Sequence, residues 1–173
     1  MGENIIRPAK LGDEQQIGTV HVKSWQEAYK GIISPTFLSS LSIEERTNMW
    51  KRSLSRPSKE HGVYVVEDAD GHIVGFATGG PNRSKDKFPQ YEGELYAIYL
   101  LKEVWGNGLG EQLTAAVTTH LKNVHGFDSM IVMVLADNPA KKFYERMGGK
   151  VVGQETITID EQAYEELVLG FKI

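Results

Sequence analysis

Apolar positions in the first third of the chain recur at helical spacing, whereas those after residue 62 alternate or cluster in short runs, as strands do. Ile17, Val20, Val22, Trp25 and Ala28 follow Gly12-Asp13 near a 3.6-residue period, which predicts a helix through Tyr29 that ends near Gly31. Before it, Asn4 to Pro8 reads as a short edge strand, because proline lacks the N–H that a central strand donates. Ser34-Pro35 opens another helical stretch. Ser42, with Glu45 three residues on, has the form of a capping box for a helix to about Leu54.

Val63 to Glu67, the turn dipeptide Asp70-Gly71, and Ile73 to Ala77 predict a hairpin. Pro81 to Tyr91 is polar and charged and reads as an exposed loop. Glu94 to Leu101, dense in Leu, Tyr and Ile, predicts a central strand. Leu113, Ala116, Val117, His120 and Leu121 restore helical spacing to about Val124, and Met130 to Leu135 is again a strand. Asn138-Pro139 is a helix start, with asparagine as cap and proline in the first turn; that helix runs to Met147 and stops at Gly148-Gly149. Val151 to Ile159 and Tyr164 to Phe171 form a closing pair of strands. No repeat, low-complexity tract or linker interrupts residues 1–173, so a single domain is expected.

Composition narrows the function more than the fold. A chain of 173 residues, 40% hydrophobic and 24% charged, is ordinary for a globular protein with one core. Its net charge of −4 supplies no basic field for nucleic acid or an anionic membrane, and suits a cationic small substrate better. The absence of cysteine removes disulfides, thiolate nucleophiles and Cys-based metal sites together. The five histidines are scattered, without an i, i+4 pair, and no metal is expected. No basic segment leads into an apolar run, and no apolar stretch approaches the roughly 20 residues of a membrane span. A cytoplasmic protein is expected, with a homodimer as the base-rate oligomer.

Trp105-Gly106-Asn107-Gly108-Leu109-Gly110 lies between a predicted strand and a predicted helix. Glycines there let backbone N–H groups turn toward one point, and the free N–H groups and positive dipole end of the following helix attract an anion. A dinucleotide fingerprint needs glycines at the first, third and sixth positions; here Glu111 is sixth, and no Gly-Lys-Ser/Thr follows as in a Walker loop. By itself the loop is equally compatible with a structural tight turn.

Residues Ile98 to Gly110 resemble the coenzyme A loop of GNAT acetyltransferases, Gln/Arg-x-x-Gly-x-Gly/Ala after a β-strand, with Gly108 and Gly110 at its two small positions. Trp105 stands where the family usually has Gln or Arg, and Lys102 replaces a frequent proline. Independently, Asn138 to Gly149 resembles the family's Asn-x-Ala-x-x-Phe-Tyr-x-x-x-Gly helix, and the order of elements is similar throughout. The resemblance implies an α/β (α+β) fold: a mixed, mostly antiparallel seven-stranded sheet flanked by helices, splayed near strands four and five to admit acetyl-CoA. It also implies an acetyl-CoA cosubstrate held by Ile98, Tyr99, Leu100, Gly106, Asn107, Gly108, Leu109, Gly110, Asn138 and Tyr144.

Acetyl transfer to a primary amine makes specific demands. An amine of pKa near 10.4 is protonated at neutral pH, and exposing its lone pair costs about 4–5 kcal/mol. The thiolate leaves more readily beside a proton donor. By resemblance Tyr144 is that donor, a neutral phenol at pH 7, although core packing beside Phe143 is its alternative role. Glu94 is the candidate base, directly or through water, sharing a strand face with Tyr96 and Ile98; a solvated strand-end carboxylate is the alternative, and Glu92 the fallback. Trp25 and Tyr29 are candidate contacts for a cationic small-molecule or peptide amine, or else core packing. Direct transfer in a ternary complex is the expected mechanism. A coenzyme A-binding sensor without transfer chemistry is the alternative of another class, and a ligand-free structural domain a third reading.

Overall fold

The computed structural model describes residues 3–56 and 59–173. Its elements in order are β1 (Ile5–Pro8), α1 (Glu14–Ala28), α2 (Pro35–Ser40), α3 (Ile43–Leu54), β2 (Gly62–Glu67), β3 (Ile73–Pro81), β4 (Gly93–Leu100), α4 (Leu109–His125), β5 (Ser129–Leu135), α5 (Ala140–Arg146), β6 (Lys150–Ile159) and β7 (Gln162–Lys172). The strands form one seven-stranded sheet in the order β1-β2-β3-β4-β5-β7-β6. Only β4 and β5 are parallel. The expected mixed, mostly antiparallel sheet is therefore present.

Local chemistry fixes the helix ends. Ser34 Oγ accepts the Phe37 N–H and Ser42 Oγ the Glu45 N–H, both at 3.1 Å, each satisfying an otherwise orphaned donor. Asp13 precedes α1 without capping it by a side-chain bond. Its carboxylate instead accepts from the Arg7 guanidinium at 2.8 and 3.0 Å and from the Lys10 N–H at 2.9 Å, pinning the helix start to β1. Gly126, in the left-handed region, ends α4.

Buried apolar clusters lie on both faces of the sheet. On one face Leu95, Met130, Val132 and Leu169 pack with Leu113, Val117 and Leu121 of α4; on the other Val65 and Phe76 pack with Ile17 and Val20 of α1 and Trp50 of α3. The segment 81–91 is the largely exposed loop expected of its composition, except that two of its residues, Asn82 and Phe88, are buried. Phe88 is buried against Ile131 and Val168, and Gly153 makes room for its ring, where a Cβ would lie 2.5 Å from Phe88 Cε1. Asn82 holds the segment in place, donating from Nδ2 to the carbonyls of Phe88 (3.1 Å) and Tyr91 (3.0 Å).

The feature that positions the site is a bulge in β4. Thr78 pairs with Ala97 and Gly79 with Leu95, leaving Tyr96 as the extra residue. A bulge bends and twists its strand. Pairing of β4 with β5 covers only Gly93, Glu94 and Leu95, and the two strands part from there on. The bulge also overturns the expected shared face of Glu94, Tyr96 and Ile98. An extra residue shifts the alternation, so Ile98 and Leu100 pack on the α4 side with Leu95, while Ala97 and Tyr99 pack on the α1 side.

Candidate active site

β4 leads through a 3-10 turn, Lys102–Val104, into the glycine loop. Gly106 and Gly108 have φ of 82° and 75°, a backbone conformation that a side chain would strain, although a Cβ would meet nothing within 4 Å. Gly108 caps the 17-residue α4 without a side-chain hydrogen bond, so the first-turn N–H groups stay available to an anion. Asn107 Nδ2 donates to the Val104 carbonyl at 3.2 Å, shaping the loop. Leu109 is buried in the core, and at Gly110 a Cβ would lie 3.0 Å from Phe143 Cζ, so glycine lets α5 approach α4.

The parted edge of β4 supplies the second half of the cradle. The Leu101 N–H donates to the Val74 carbonyl of β3 at 2.9 Å, so the Leu100 carbonyl, across the same trans peptide, points away from β3. By alternation Ile98 turns its backbone groups the same way. An uncapped helix start and an unpaired strand edge, end to end, fit a pyrophosphate followed by the amide-bearing pantetheine arm of coenzyme A. Tyr99 contributes differently: its side chain turns to the α1 face, where its ring stacks on His21 at 5.6 Å.

Tyr144 packs in the α4-side core and is only 6% exposed. Its hydroxyl makes no hydrogen bond with any described residue. Burial, with the nearby Tyr29 hydroxyl, pushes it well above the usual phenol range. Tyr29, the residue that ends α1, comes from the opposite face; burial raises it too, against interactions with the Tyr99 hydroxyl and the Asn138 amide. Residues from both sides of the sheet thus meet where β4 and β5 part. Asn138 Oδ1 accepts the Ala140 N–H at 2.9 Å and sets the start of α5. Trp25 and Tyr29 pack edge to face with centroids 4.8 Å apart, and Trp25 Nε1 is buried without a hydrogen-bond partner. The structure brings Tyr29, Tyr99, Asn138 and Tyr144 together, with Trp25 beside them.

Glu94 is 1% exposed, and so not a solvated strand-end carboxylate. Its oxygens accept from Arg83: Oε1 from the backbone N–H at 3.0 Å and from Nε at 3.4 Å, and Oε2 from Nη2 at 2.7 Å. Arg83 also stands over the Tyr96 ring, 4.0 Å from its centroid. Burial first, against the Arg83 charge, pushes the Tyr96 hydroxyl up to about 12. Glu92 lies at the far end of the sheet, accepting the Asp128 N–H at 3.1 Å. Arg83 was hidden in the polar loop, where nothing in the sequence separates it from a solvated arginine. Glu166 on β7 was equally invisible; half-buried, it lies opposite Leu135 of β5 and interacts electrostatically with Glu94 and Tyr29.

Asp68, Asp70 and His72 bring ligand-type atoms within 4.8 Å of one another. The convergence follows from the hairpin turn, in which Asp68 Oδ1 accepts the N–H groups of Asp70 (3.0 Å) and His72 (2.8 Å). A cavity of about 560 Å³ lies between α3, β2 and α4, away from the glycine loop. No helix among the described residues is long and apolar enough to cross a membrane.

Fold and site together define an acyl-coenzyme A-dependent acetyltransferase. Residues 21–149 match the Acetyltransferase (GNAT) family, and the chain belongs to that family. It is 40% identical over 166 residues to the uncharacterized N-acetyltransferase YuaI of Bacillus subtilis (strain 168), covering 96% of this chain and 91% of that protein. It is 33% identical over 97 residues to mycothiol acetyltransferase of Saccharomonospora viridis, covering 53% of this chain but 30% of that longer protein. Among solved structures, PaiA N-acetyltransferase of Thermoplasma acidophilum in complex with coenzyme A superposes with a TM-score of 0.78 at 20% identity, each chain 99% covered. The yncA protein of Salmonella typhimurium with its cofactor acetyl-CoA gives 0.71 at 20% identity, with 98% of this chain and 94% of that one covered.

Proposed function

We propose that this chain transfers the acetyl group of acetyl-CoA to a primary amine of a small molecule or peptide, directly, within a ternary complex. The observation that carries the reading is the opening where β4 and β5 part, together with Tyr144, a side chain 6% exposed whose hydroxyl has no partner among the described residues. The uncapped start of α4 receives the pyrophosphate, and the parted edge of β4 aligns the pantetheine arm through the main-chain groups of Ile98 and the N–H of Leu100, whose carbonyl already accepts from Trp105. Tyr144 donates a hydrogen bond to the departing thiolate sulfur; its raised proton affinity keeps the phenol neutral, so it stabilises the sulfur's charge, and any proton it passes to the sulfur is restored by the one released from the amine through water. Glu94, sequestered by Arg83, relays the amine proton through water rather than by direct contact. Trp25 and Tyr29 line the acceptor side.

Calorimetric titration with acetyl-CoA, joined to thiol-release assays across a panel of amines, tests this. Binding with amine-dependent thiol release is expected. Trp105 supports a second reading, a coenzyme A-binding sensor: its donor is turned to Leu100, which ties the loop to β4 and leaves the phosphate to backbone donors alone. That reading is favoured by binding without release on any amine.

A further inference from the structure

We propose that Glu166 on β7 is the carboxylate that anchors the acceptor's ammonium group, making the chain selective for cationic primary amines. This rests on the acetyltransferase reading above and names the substrate class. Leu135 pairs with Glu166, Met133 with Val168 and Ile131 with Gly170, while Glu94 pairs with Ile131. Strand alternation therefore sets Glu166 and Glu94 on one face of the sheet, the face that carries α1.

Charge on that face does not balance. Glu94 is paired with Arg83 at 2.7 Å, and Glu155, which lies opposite Glu166 on β6, with Lys87 at 3.2 Å. Glu166 makes neither a hydrogen bond nor an ion pair with a described side chain, although it is half-buried. Burial first, then Glu94 and Glu155, raises its carboxyl above the ordinary range, and Arg83 only partly opposes this. A fold gains nothing from an unpaired, half-buried carboxylate, whereas a site for a cation does.

The Tyr144 hydroxyl is the second observation. Tyr29 interacts electrostatically with Glu166 and with Tyr144, so the three groups run from β7 past α1 to α5. An anion for the ammonium stands at one end and an unpartnered hydroxyl on a largely buried side chain at the other. An alkylammonium held at Glu166 lies beside Tyr29, which interacts electrostatically with that carboxylate and whose ring also favours a cation, whereas the Trp25 ring already has the Arg46 guanidinium over it at 6.0 Å. Proton removal falls to Glu94 and water after binding, so Glu166 acts on affinity and not on the chemical step.

The full-length protein and Glu166→Gln are compared in two measurements. In thiol-release assays with simple alkylamines, Glu166→Gln should raise the amine KM by about tenfold or more, leave kcat within about threefold, and leave acetyl-CoA affinity unchanged. The wild-type amine KM should rise as pH falls through the raised Glu166 pKa, while the variant's stays flat; Glu166→Asp should recover part of the lost affinity. In calorimetry of n-butylamine into coenzyme A-loaded protein, the wild type should bind and the variant should not. Butylamine binding that depends on Glu166 without any thiol release would sink the enzymatic reading and leave the anchor standing. An unchanged KM and pH profile in the variant, or butylamine heats equal in the two proteins, whether present or absent, would overturn the proposal.

Discussion

The indole N–H of Trp105 lies 2.9 Å from the carbonyl oxygen of Leu100, tying the glycine loop back to the parted edge of β4. Trp105 occupies the position where related loops carry a Gln or Arg donor. Its donor is directed at the strand, and the ring is 50% exposed.

Trp105→Phe keeps a ring and removes the hydrogen bond. One such bond contributes about 1 kcal/mol. Coenzyme A affinity should then fall about fivefold as the loop loosens, read by calorimetry. Unchanged affinity would mean that the glycine geometry holds the loop unaided.

Tyr144→Phe separates chemistry from packing. The ring is buried beside Phe143, and its hydroxyl has no partner to lose, so the melting temperature should hold or rise slightly. Thiol release at saturating substrates should fall by about 10²-fold or more, the usual scale for removing a positioned acid, with acetyl-CoA affinity within about threefold. Full turnover in the variant would remove Tyr144 from the mechanism.

The pair Arg83–Glu94 should respond asymmetrically to truncation. Arg83→Ala leaves a carboxylate that is 1% exposed with only a backbone donor, whereas Glu94→Gln leaves the largely exposed guanidinium free to turn to water. Denaturant unfolding should show a loss of about 2–3 kcal/mol for Arg83→Ala and about 1 kcal/mol for Glu94→Gln. Equal losses would show that the pair contributes through contact alone. In the same Glu94→Gln protein, an unchanged pH–rate profile would dismiss Glu94 as the relay.

Periodicity and capping chemistry made the helices and strands legible, and the two ligand-type motifs announced the loop and α5. The face assignment along β4 escaped because of a single residue. Strict alternation places Glu94 and Ile98 on one face, and only the β3 register reveals Tyr96 as a bulge that parts them. The same limitation hid Arg83 and Glu166. A polar loop and an exposed-looking Glu165-Glu166 pair read as solvated surface until β4, β5 and β7 are laid side by side. Phe88 was misplaced with its loop because the room for its ring is made by Gly153, 65 positions along the chain.

His21 gives the fold a pH dependence independent of the site. It is buried between α1, α3 and β4, where its Nδ1 accepts the Trp50 Nε1–H at 3.2 Å and its ring stacks on Tyr99. Burial, then the Arg46 charge, lowers its pKa to about 4. The unfolded chain, with an ordinary histidine near 6.5, binds a proton there before the folded protein does. Stability from a neutral His21 is therefore fully present above about pH 6.5 and drains away as pH falls toward about 4. At about 1.4 kcal/mol per unit, the loss amounts to roughly 3 kcal/mol. Denaturant unfolding of the wild type should steepen across that window, and His21→Gln, already weaker because it disturbs the Trp50 contact, should lack this part of the slope. A parallel pH dependence in the two proteins would assign the acid sensitivity to carboxylates, among them Asp13, whose bonds from Arg7 and Lys10 are lost only at lower pH.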